Sequence, residues 1–383
     1  MFVKDLQFIN FRNLKRETVH FQTGLTVIQG ANGQGKSNFL EAIYYLCQGK
    51  SFRTLKESDM VCWNKPYYFL HGNIVFKKRL FKVEVGYELE KKRKVAKING
   101  RLIQKGESLN FSPIVFFVPD DLDLIRRGPE ERRTFLDREI GQLSLFYRDC
   151  LQRYKKALRQ KNRLLKINRL QKKIDRELLV PWNKQITYFG SRILQQRARF
   201  LSIWGQLAAH NFHHLFKNDN NEKGNMRLSL EYRPGVSIKT DLMGTLKEIE
   251  REMEREISAA EQEESEKGFS LVGIHKDDFS FLMGGKEARR FASQGQQRSA
   301  IISLKAAQIQ FYSRNFEKPI FILDDIFSEL DHTRRKQCFL LFQEAQQTFI
   351  TFSLDEILDD SFIGQGIPFS LFKIHEGTIK SVI

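Results

Sequence analysis

Apolar and polar residues alternate in parts of the first third of the chain, a helical period covers the middle, and strand and helix patterns alternate in the last third. Residues 2–9 alternate roughly and residues 25–28 form a short apolar run, which predicts two strands. A helical pattern covers residues 37–47, and alternating segments return at residues 69–76 and 80–89. Asn99-Gly100, which lies between Ile98 and Leu102, is typical of a hairpin turn. The first third of the chain should therefore hold a helix and a small antiparallel sheet.

The middle of the chain, residues 129–216, is helical in its period and too irregular for an extended coiled coil. Its apolar stripe is formed by Leu145, Leu151, Tyr154, Leu158 and Leu165. Strand patterns return at residues 227–232 and from residue 269. After these, the pattern alternates between helix (299–311 and 333–347) and strand (320–323 and 349–352). Such alternation predicts a mostly parallel sheet, so the chain reads as an α/β core split by a helical insertion.

Charge adds to this picture because it is concentrated in two segments. The 383 residues carry 63 Lys and Arg against 46 Asp and Glu, a net charge of +17. Residues 77–105 contain 11 basic and 3 acidic residues, and residues 126–176 contain 17 and 6. A local excess of this kind favours a surface that binds nucleic-acid phosphates over an ordinary solvated face. Residues 247–267 are acidic instead and predict an exposed helix and loop.

The sequence excludes several classes of protein. No apolar run reaches the length of a membrane-spanning helix, and charges interrupt the N-terminal residues that a signal peptide would keep apolar. The four cysteines are far apart, so they predict neither a zinc site nor a disulfide framework. They are Cys47, Cys62, Cys150 and Cys338. We therefore expect a cytoplasmic protein with reduced thiols.

A complete G-x-x-x-x-G-K-[ST] motif (Walker A) spans residues 30–37, between an apolar strand and a helix. This is the context that the motif requires. Its glycines let backbone N–H groups surround phosphate oxygens, Lys36 reaches the β- and γ-phosphates, and the Ser37 hydroxyl can bind Mg²⁺. The predicted ATP-binding residues are Gly30, Ala31, Asn32, Gly33, Gln34, Gly35, Lys36, Ser37 and Asn38.

Hydrolysis needs a second segment that carries carboxylates (Walker B). The apolar strand 320–323 ends in Asp324 and Asp325. At the end of a strand Asp324 can hold Mg²⁺, directly or through water, and Asp325 can orient and deprotonate the attacking water. The predicted catalytic residues are Lys36, Asp324 and Asp325, the predicted metal ligands are Ser37 and Asp324, and the predicted cofactors are ATP and Mg²⁺.

Further motifs resemble those of ABC-type ATPases. Residues 293–297 (Ser-Gln-Gly-Gln-Gln) open a helical stretch before the Asp324 strand, as an ABC signature does, and residues 328–331 are similar to a D-loop. Over its full length the chain is similar to the RecF family, whose members are related to SMC proteins. The segments that carry this resemblance are residues 10–13, 30–38, 117–122, 128–137, 273–278, 293–298 and 323–331.

The resemblance implies an α/β fold. We expect an ABC-type, SMC-like ATPase head with a small antiparallel β subdomain and an inserted helical arm without a long coiled coil. Residues 1–122 would form the N-terminal half of the head, with Walker A and the antiparallel sheet. Residues 123–268 would form the basic arm, and residues 269–383 the C-terminal half, with the signature, Walker B and the D-loop.

In an ABC-type head the signature contacts the nucleotide that the other subunit holds, so the resemblance implies an ATP-dependent homodimer. The implied contacts are Ser293, Gly295 and Gln296, and Arg12 and Asn13 resemble family positions near the base and phosphates. Asp325 stands where ABC proteins usually have glutamate, and Thr351 and Ser353 lie where transporters have a switch histidine. We predict slow hydrolysis from both departures.

The basic arm supplies the candidate DNA contacts. They are Arg126, Arg127, Lys155, Lys156, Arg159, Lys161 and Arg163. No helix-turn-helix or zinc-finger pattern is present, so binding should be directed at the backbone, salt-dependent and poor at reading sequence. The resemblance implies gapped or junction DNA, cooperation with RecR and RecO to load RecA, and support of the SOS response.

Two other functions fit part of the pattern. An ATPase subunit of an ABC transporter would explain the nucleotide motifs but not the basic arm. A DNA clamp that binds ATP with negligible turnover is hardly separated from a slow ATPase by sequence. His275 either faces the nucleotide or supports a loop, and the histidines at 213–214 lack further ligands and are predicted to be structural or exposed.

Overall fold

A computed structural model describes residues 1–54, 56–104, 109, 111, 113–171, 176–216, 227–325, 335, 344–353 and 368–382. Its strands are β1 (Phe2–Phe11), β2 (Leu14–His20), β3 (Gly24–Gln29), β4 (Tyr67–Phe76), β5 (Arg79–Glu88), β6 (Arg93–Ile98), β7 (Arg101–Leu102), β8 (Ile114–Phe117), β9 (Leu228–Arg233), β10 (Asp278–Met283), β11 (Lys286–Glu287), β12 (Ile320–Leu323), β13 (Gln347–Phe352), β14 (Phe369–His375) and β15 (Thr378–Ser381). Its helices are α1 (Lys36–Gln48), α2 (Asp123–Arg126), α3 (Pro129–Leu143), α4 (Leu145–Gln171), α5 (Arg176–Phe216), α6 (Leu246–Ala259), α7 (Glu261–Lys267), α8 (Ala288–Phe291) and α9 (Gln294–Asn315).

The chain divides into two compact units, one of residues 1–121 and 305–383, the other of residues 122–304. The first unit, the head unit, contains two six-stranded sheets. One is antiparallel, in the order β2-β1-β4-β5-β6-β7. The other has the order β15-β14-β3-β13-β12-β8 and is parallel except for β15. The predicted antiparallel and mostly parallel sheets are both confirmed.

Helix α1 contacts strands of both sheets of the head unit. Eleven of its thirteen residues are buried, because its apolar positions extend around most of its circumference. Phe39, Tyr44 and Tyr45 from this helix join the aromatic side chains of the two sheets in one core. The helix that carries the phosphate-binding motif is therefore held on two sides, which fixes the loop that precedes it.

The second unit, the helical unit, contains the long helices α4 and α5, which pack along each other. Helix α7 packs on α4, and α6 and strand β9 pack on α5. A three-stranded antiparallel sheet, β11-β10-β9, completes the unit. The helical arm predicted for residues 129–216 is confirmed over the described residues of that range.

Several elements differ from the prediction. Gln347 begins β13 instead of ending a helix, and the rest of the helix predicted for residues 333–347 falls almost entirely outside the described residues. The acidic residues 247–267 form α6 and α7, and Glu264 and Ser265 are buried where an exposed loop was expected. Strands β14 and β15 were not predicted from the sequence.

The boundary between the units also differs from the predicted one. Residues 269–304 cluster with the helical unit because β10 pairs with β9 and Asp278 forms an ion pair with Arg132. The three-part division by function stays a prediction. No helix in the described part of the chain is long and apolar enough to cross a membrane.

Candidate nucleotide-binding site

The loop between β3 and α1 has the geometry of a phosphate-binding loop. Gly35 caps α1 with φ +115°, a left-handed conformation that side chains rarely adopt. A Cβ at Gly30 would lie 2.6 Å from Ile374 Cγ2 and 2.7 Å from its carbonyl oxygen, so β14 excludes any larger residue there. The N-terminus of α1 therefore opens onto a tight loop, the arrangement that holds phosphate groups in such sites.

Lys36 is 6 % exposed, and within the described part of the chain its ammonium donates to neutral oxygens. Its Nζ donates to the carbonyl oxygens of Gly30 at 2.7 Å and Ala31 at 3.2 Å, and to Asn32 Oδ1 at 3.3 Å. None of these three acceptors carries a charge. The loop thus holds the positive charge of Lys36 in place, and none of these acceptors neutralises it, which suits Lys36 to bind an anionic ligand.

Two asparagines brace the loop from outside. Asn13 Nδ2 donates to the Gly33 carbonyl oxygen at 3.3 Å, and Asn38 Nδ2 donates to Asn13 Oδ1 at 2.8 Å. The turn between β14 and β15 adds a contact, because the Gly377 N–H donates to the Gln34 carbonyl oxygen at 3.2 Å. The predicted residue Asn13 is therefore beside the loop, where it supports the backbone.

The carboxylate segment lies at the end of β12, next to the loop. Asp324 is buried, and it accepts hydrogen bonds from the hydroxyls of Ser37 and Thr351. Burial raises the pKa of Asp324 above its ordinary value, and these two hydrogen bonds act in the opposite direction. The structure thus brings together Ser37 and Asp324, the two predicted metal ligands.

This pair fits Mg²⁺ by its donor chemistry. A hydroxyl and a carboxylate are hard oxygen ligands, and Mg²⁺ in nucleotide sites usually takes one or two protein oxygens plus phosphates and waters. Among the described residues, no cluster of three or more His, Cys, Asp or Glu could hold a metal without such help. Ser37 and Asp324 would hold the ion, which when bound would neutralise charge on the phosphates.

Asp325 follows in an unusual backbone conformation. Its φ of +52° lies in the left-handed region, which is uncommon for an aspartate. Its N–H donates to Thr351 Oγ1 at 2.8 Å. Thr351 was noted in sequence only for the absence of a histidine, and no motif marked it as a partner of Asp324 and Asp325.

Arg12 contacts helix α1. Its guanidinium donates to both carboxylate oxygens of Glu41, at 2.9 and 3.0 Å, and to the Asp59 carbonyl oxygen. Because Glu41 lies on α1 and is fully buried, these bonds fasten Arg12 to the helix. The structure thus gives Arg12 a structural contact with α1, and its predicted role near the nucleotide stays a prediction.

Arg53 is a residue that sequence reasoning missed. It donates to Asn38 Oδ1 at 2.8 Å and lies 3.7 Å from Glu41 Oε2. Its positive charge also lowers the pKa of Asp324, although burial of that carboxyl has the larger, opposite effect. A single arginine after the helix gives no sequence signal, and only the fold brings it to the end of the motif.

The signature residues lie in the helical unit, at the start of α9. The Ser293 Oγ accepts from the Gln296 N–H at 3.3 Å, and the Ser293 N–H donates to Gln296 Oε1 at 2.8 Å. This reciprocal pair is a capping box with glutamine as its partner. Ser293 is exposed at the N-terminus of a 22-residue helix, where the helix dipole favours an anion. Residues 328–331, the predicted D-loop, lie outside the described residues.

Comparison with known proteins places the chain in a family. The model of the RecF/RecN/SMC N terminal domain matches residues 2–361. The DNA replication and repair protein RecF of Geobacillus thermodenitrificans is 33 % identical over 386 residues, covering all of both chains. That of Symbiobacterium thermophilum is 35 % identical over 382 residues, covering 99 % of this chain and 98 % of the relative. The chain belongs to the RecF family.

Solved structures agree with this membership. RecF-ATP of the RecFOR pathway superposes with a TM-score of 0.86 at 29 % identity, covering all of this chain and 97 % of the other. An Smc head domain from Pyrococcus yayanosii shares the fold, with a TM-score of 0.56 at 13 % identity over all of this chain and 96 % of the other. The predicted SMC-like ABC ATPase head is therefore confirmed.

The predicted DNA contacts of this RecF-family chain fall into different surroundings. Lys156, Arg159 and Arg163 are exposed on α4, as phosphate contacts must be. Lys155 is exposed but 3.2 Å from an Asp137 carboxylate oxygen. Lys161 is fully buried, with its ammonium 2.6 Å from Glu264 of α7. We withdraw Lys161 as a DNA contact, because its charge is paired inside the protein.

The two remaining arginines lie before α3. Arg127 is exposed and lies 2.8 Å from Asp123. Arg126 donates from Nε to Gln297 Oε1 at 3.1 Å, which attaches it to the start of the signature helix. These two residues lie at the end of α2, whereas the other five lie on α4, so the seven predicted contacts come from more than one element.

The segment around His275 is built into the helical unit. His275 Nδ1 lies 2.8 Å from the Tyr154 hydroxyl, and Nε2 lies 3.2 Å from the Ser270 carbonyl oxygen. Burial lowers the pKa of His275 to about 4. A neutral imidazole with a proton on Nε2 satisfies both contacts, so within this unit His275 supports the loop, one of its two predicted roles.

Proposed function

We propose that this chain is an ATP-dependent DNA-binding protein of recombinational repair and replication. One observation carries the proposal: Ser37 and Asp324 are hydrogen-bonded to each other beside a phosphate-binding loop whose lysine donates to neutral oxygens among the residues that the structure describes. A half-buried hydroxyl, a buried carboxylate and an ammonium whose acceptors among the described residues are neutral together suit Mg²⁺-ATP better than a neutral ligand. RecF structures with ATP support the same ligand for this chain.

Each residue has a distinct task in hydrolysis under this proposal. Lys36 holds the β- and γ-phosphates, Ser37 and Asp324 hold Mg²⁺, and Asp325 orients the attacking water. The aspartate side chain is one methylene shorter than the usual glutamate, so its carboxylate has less reach toward that water. Turnover should therefore be slow, with ATP acting more as a switch than as a source of work.

The signature would act on a second copy of the chain. Ser293, Gly295 and Gln296 would contact the γ-phosphate held by the partner subunit, and the exposed helix N-terminus at Ser293 supports this. Because ADP lacks this phosphate, ATP would favour the dimer and hydrolysis would release it.

The dimer would grip DNA through exposed cations on α4, chiefly Lys156, Arg159 and Arg163. Their long side chains would contact the phosphate backbone, so affinity would fall steeply with salt and depend little on sequence. We propose gapped or junction DNA as the substrate and RecO and RecR as partners that help load RecA and support the SOS response. The pathway of the RecF structures supports these partners, and the cytoplasmic location stays a prediction.

The test is ATP hydrolysis and DNA binding by the purified chain and its Lys36→Arg and Asp325→Asn variants, with and without a gapped duplex. We expect slow hydrolysis by the parent, ATP binding without turnover by both variants, and nucleotide-dependent retention of DNA. Rapid turnover would contradict the shortened base. Equal DNA binding with ATP, with ADP and without nucleotide would contradict the switch.

The alternatives predict different results. A clamp with negligible turnover would leave the parent as inactive as Asp325→Asn while keeping ATP-dependent DNA binding. A transporter subunit would show no response to DNA, and membership in a family of DNA replication and repair proteins speaks against it.

A further inference from the structure

Thr351 lies beside the end of β12, where the sheet brings it next to both acidic residues. Strands β12 and β13 are parallel with Leu323 opposite Ile350, so the next residue on β13 is level with Asp324. Thr351 is fully buried. Its hydroxyl is therefore shielded from water and must use the groups around it.

A single hydroxyl contacts both members of the acidic pair. Thr351 Oγ1 is 2.9 Å from Asp324 Oδ1 and 3.5 Å from the Leu323 carbonyl oxygen. Its one proton goes to the carboxylate, because that contact is shorter and charge-assisted. The same oxygen accepts the Asp325 N–H at 2.8 Å. The donor role orients the carboxylate of Asp324, and the acceptor role fixes the backbone of Asp325.

The hydrogen bond from the Asp325 N–H to Thr351 holds the backbone where the chain leaves β12. The Asp324 N–H continues the sheet by donating to the Phe117 carbonyl oxygen at 2.9 Å, but Asp325 leaves it in a left-handed conformation. Such a residue is held only when its surroundings determine it. Thr351 supplies a hydrogen bond at this turn, and the turn sets the direction in which the Asp325 side chain points.

We infer that Thr351 is a positioning residue, which through one hydroxyl holds Asp324 for Mg²⁺ and Asp325 for water. This inference rests on the proposed ATPase function. Valine in its place would keep the shape and remove both hydrogen bonds, whereas serine would keep them. Thr348, on the same strand and 5 % exposed, offers a matched control for replacing a buried threonine by valine.

The test compares the parent with Thr351→Val, Thr351→Ala, Thr351→Ser and Thr348→Val. ADP affinity is measured in EDTA and then during a titration with Mg²⁺, which gives the half-maximal Mg²⁺ concentration. The kcat and KM for ATP are measured by steady-state hydrolysis. For Thr351→Val we expect the ADP affinity in EDTA and the KM for ATP to change little. The half-maximal Mg²⁺ concentration should rise by about 10- to 100-fold, and kcat should fall by about 10- to 100-fold. Thr351→Ser and Thr348→Val should resemble the parent.

Other results would overturn the inference. If Thr351→Val keeps the half-maximal Mg²⁺ concentration and the kcat of the parent, Thr351 does not position the acidic pair, and the proposed function is unaffected. If neither Thr351→Val nor Thr351→Ala folds by circular dichroism while Thr351→Ser does, the hydroxyl is structural and the inference is wrong. If the ADP affinity of the parent protein does not depend on Mg²⁺ and the parent hydrolyses no ATP, the proposed function is wrong, and the inference is wrong with it.

Discussion

Lys36 of the head unit and Arg197 of the helical unit are both buried cations, but their partners differ in charge. Lys36 contacts two carbonyl oxygens and an amide oxygen. Arg197 is 1 % exposed and lies 2.6 Å from Asp137 and 2.7 Å from Asp277. Burial by itself would lower the pKa of Arg197, but Tyr147 and these two carboxylates raise it well above its ordinary value.

This difference separates a binding site from a structural cluster. The guanidinium of Arg197 also donates to the Tyr147 hydroxyl at 3.1 Å and to the Ile274 carbonyl oxygen at 2.8 Å, so each of its nitrogens has a partner. A cation whose donors and charge are both satisfied has nothing left for a ligand. We therefore expect the charge of Lys36 to serve a ligand, whereas the neutralised charge of Arg197 joins α5 to α3 and the 274–277 segment.

The largest expected effect comes from breaking the structural cluster. Arg197→Met would leave the carboxylates of Asp137 and Asp277 without their buried partner. We expect the free energy of unfolding to fall by about 3–5 kcal/mol, measured by urea denaturation followed by circular dichroism. Arg153→Met is the matched control, because Arg153 pairs with Asp149 on an exposed face of α4 and such pairs contribute at most about 1 kcal/mol. Equal losses in the two variants would contradict the distinction.

Lys36→Ala should weaken ATP binding and leave the free energy of unfolding almost unchanged. Loss of a charged donor to phosphate should weaken Mg²⁺-ATP binding by about 10- to 100-fold, measured by calorimetry. Its present acceptors are neutral atoms of the phosphate-binding loop, so the free energy of unfolding should change little. Lys65→Ala, at an exposed lysine of the same unit, is the control. A variant that binds ATP normally, or that unfolds like Arg197→Met, would show that Lys36 is structural.

His275 tests how closely the helical unit is packed. Its folded pKa of about 4 lies below the ordinary value of 6.5, so the unfolded chain binds a proton first as the pH falls. Stability should therefore be lost between about pH 6.5 and pH 4, with about 2 kcal/mol lost between pH 7 and pH 5. His275→Asn should reduce this pH dependence in urea denaturation at the two pH values. An unchanged slope would mean that His275 is not buried as a neutral ring.

The smallest effect concerns exposed cations on α4. Arg163→Gln should weaken DNA binding alike for all sequences and reduce the slope of log affinity against log salt by about 0.9. The measurement is fluorescence anisotropy with a gapped duplex in Mg²⁺-ATP at several salt concentrations. Arg153→Gln on the same helix is the control, since Arg153 is already paired with Asp149. The same reduction in both variants would show a general charge effect instead of a contact.

The sequence predicted the parts of this molecule whose chemistry is local. Residues 30–38 form a contiguous motif with the expected strand before it and helix after it, and Asp324 follows an apolar run, so both are readable without the fold. Asn99 and Gly100 both have positive φ, as their hairpin turn requires. These features depend on neighbours within a few residues, and the local structure predicted for all three is present in the head unit, while the ligands of residues 30–38 and Asp324 stay predictions.

The rest depends on partners far away in the chain. Lys161 and Glu264 are separated by more than a hundred residues, so nothing in a run of basic residues marks one of them as buried. The ion pair between Arg12 and Glu41 could be recognised only once the fold placed β1 beside α1. Thr351 could be recognised only once β13 was paired with β12 in register. In each case the sequence does not show which distant residue forms the ion pair or hydrogen bond, because that partner is set by the tertiary structure.

The most direct test of the account is the molar mass in solution of the Asp325→Asn variant, which should retain bound ATP. Light scattering after size-exclusion chromatography would be run with Mg²⁺-ATP, with Mg²⁺-ADP and without nucleotide, each with and without a gapped duplex. The account predicts a monomer without nucleotide or with ADP, and a dimer with ATP that carries the duplex with it. A monomer with ATP bound, or a dimer indifferent to nucleotide, would contradict it.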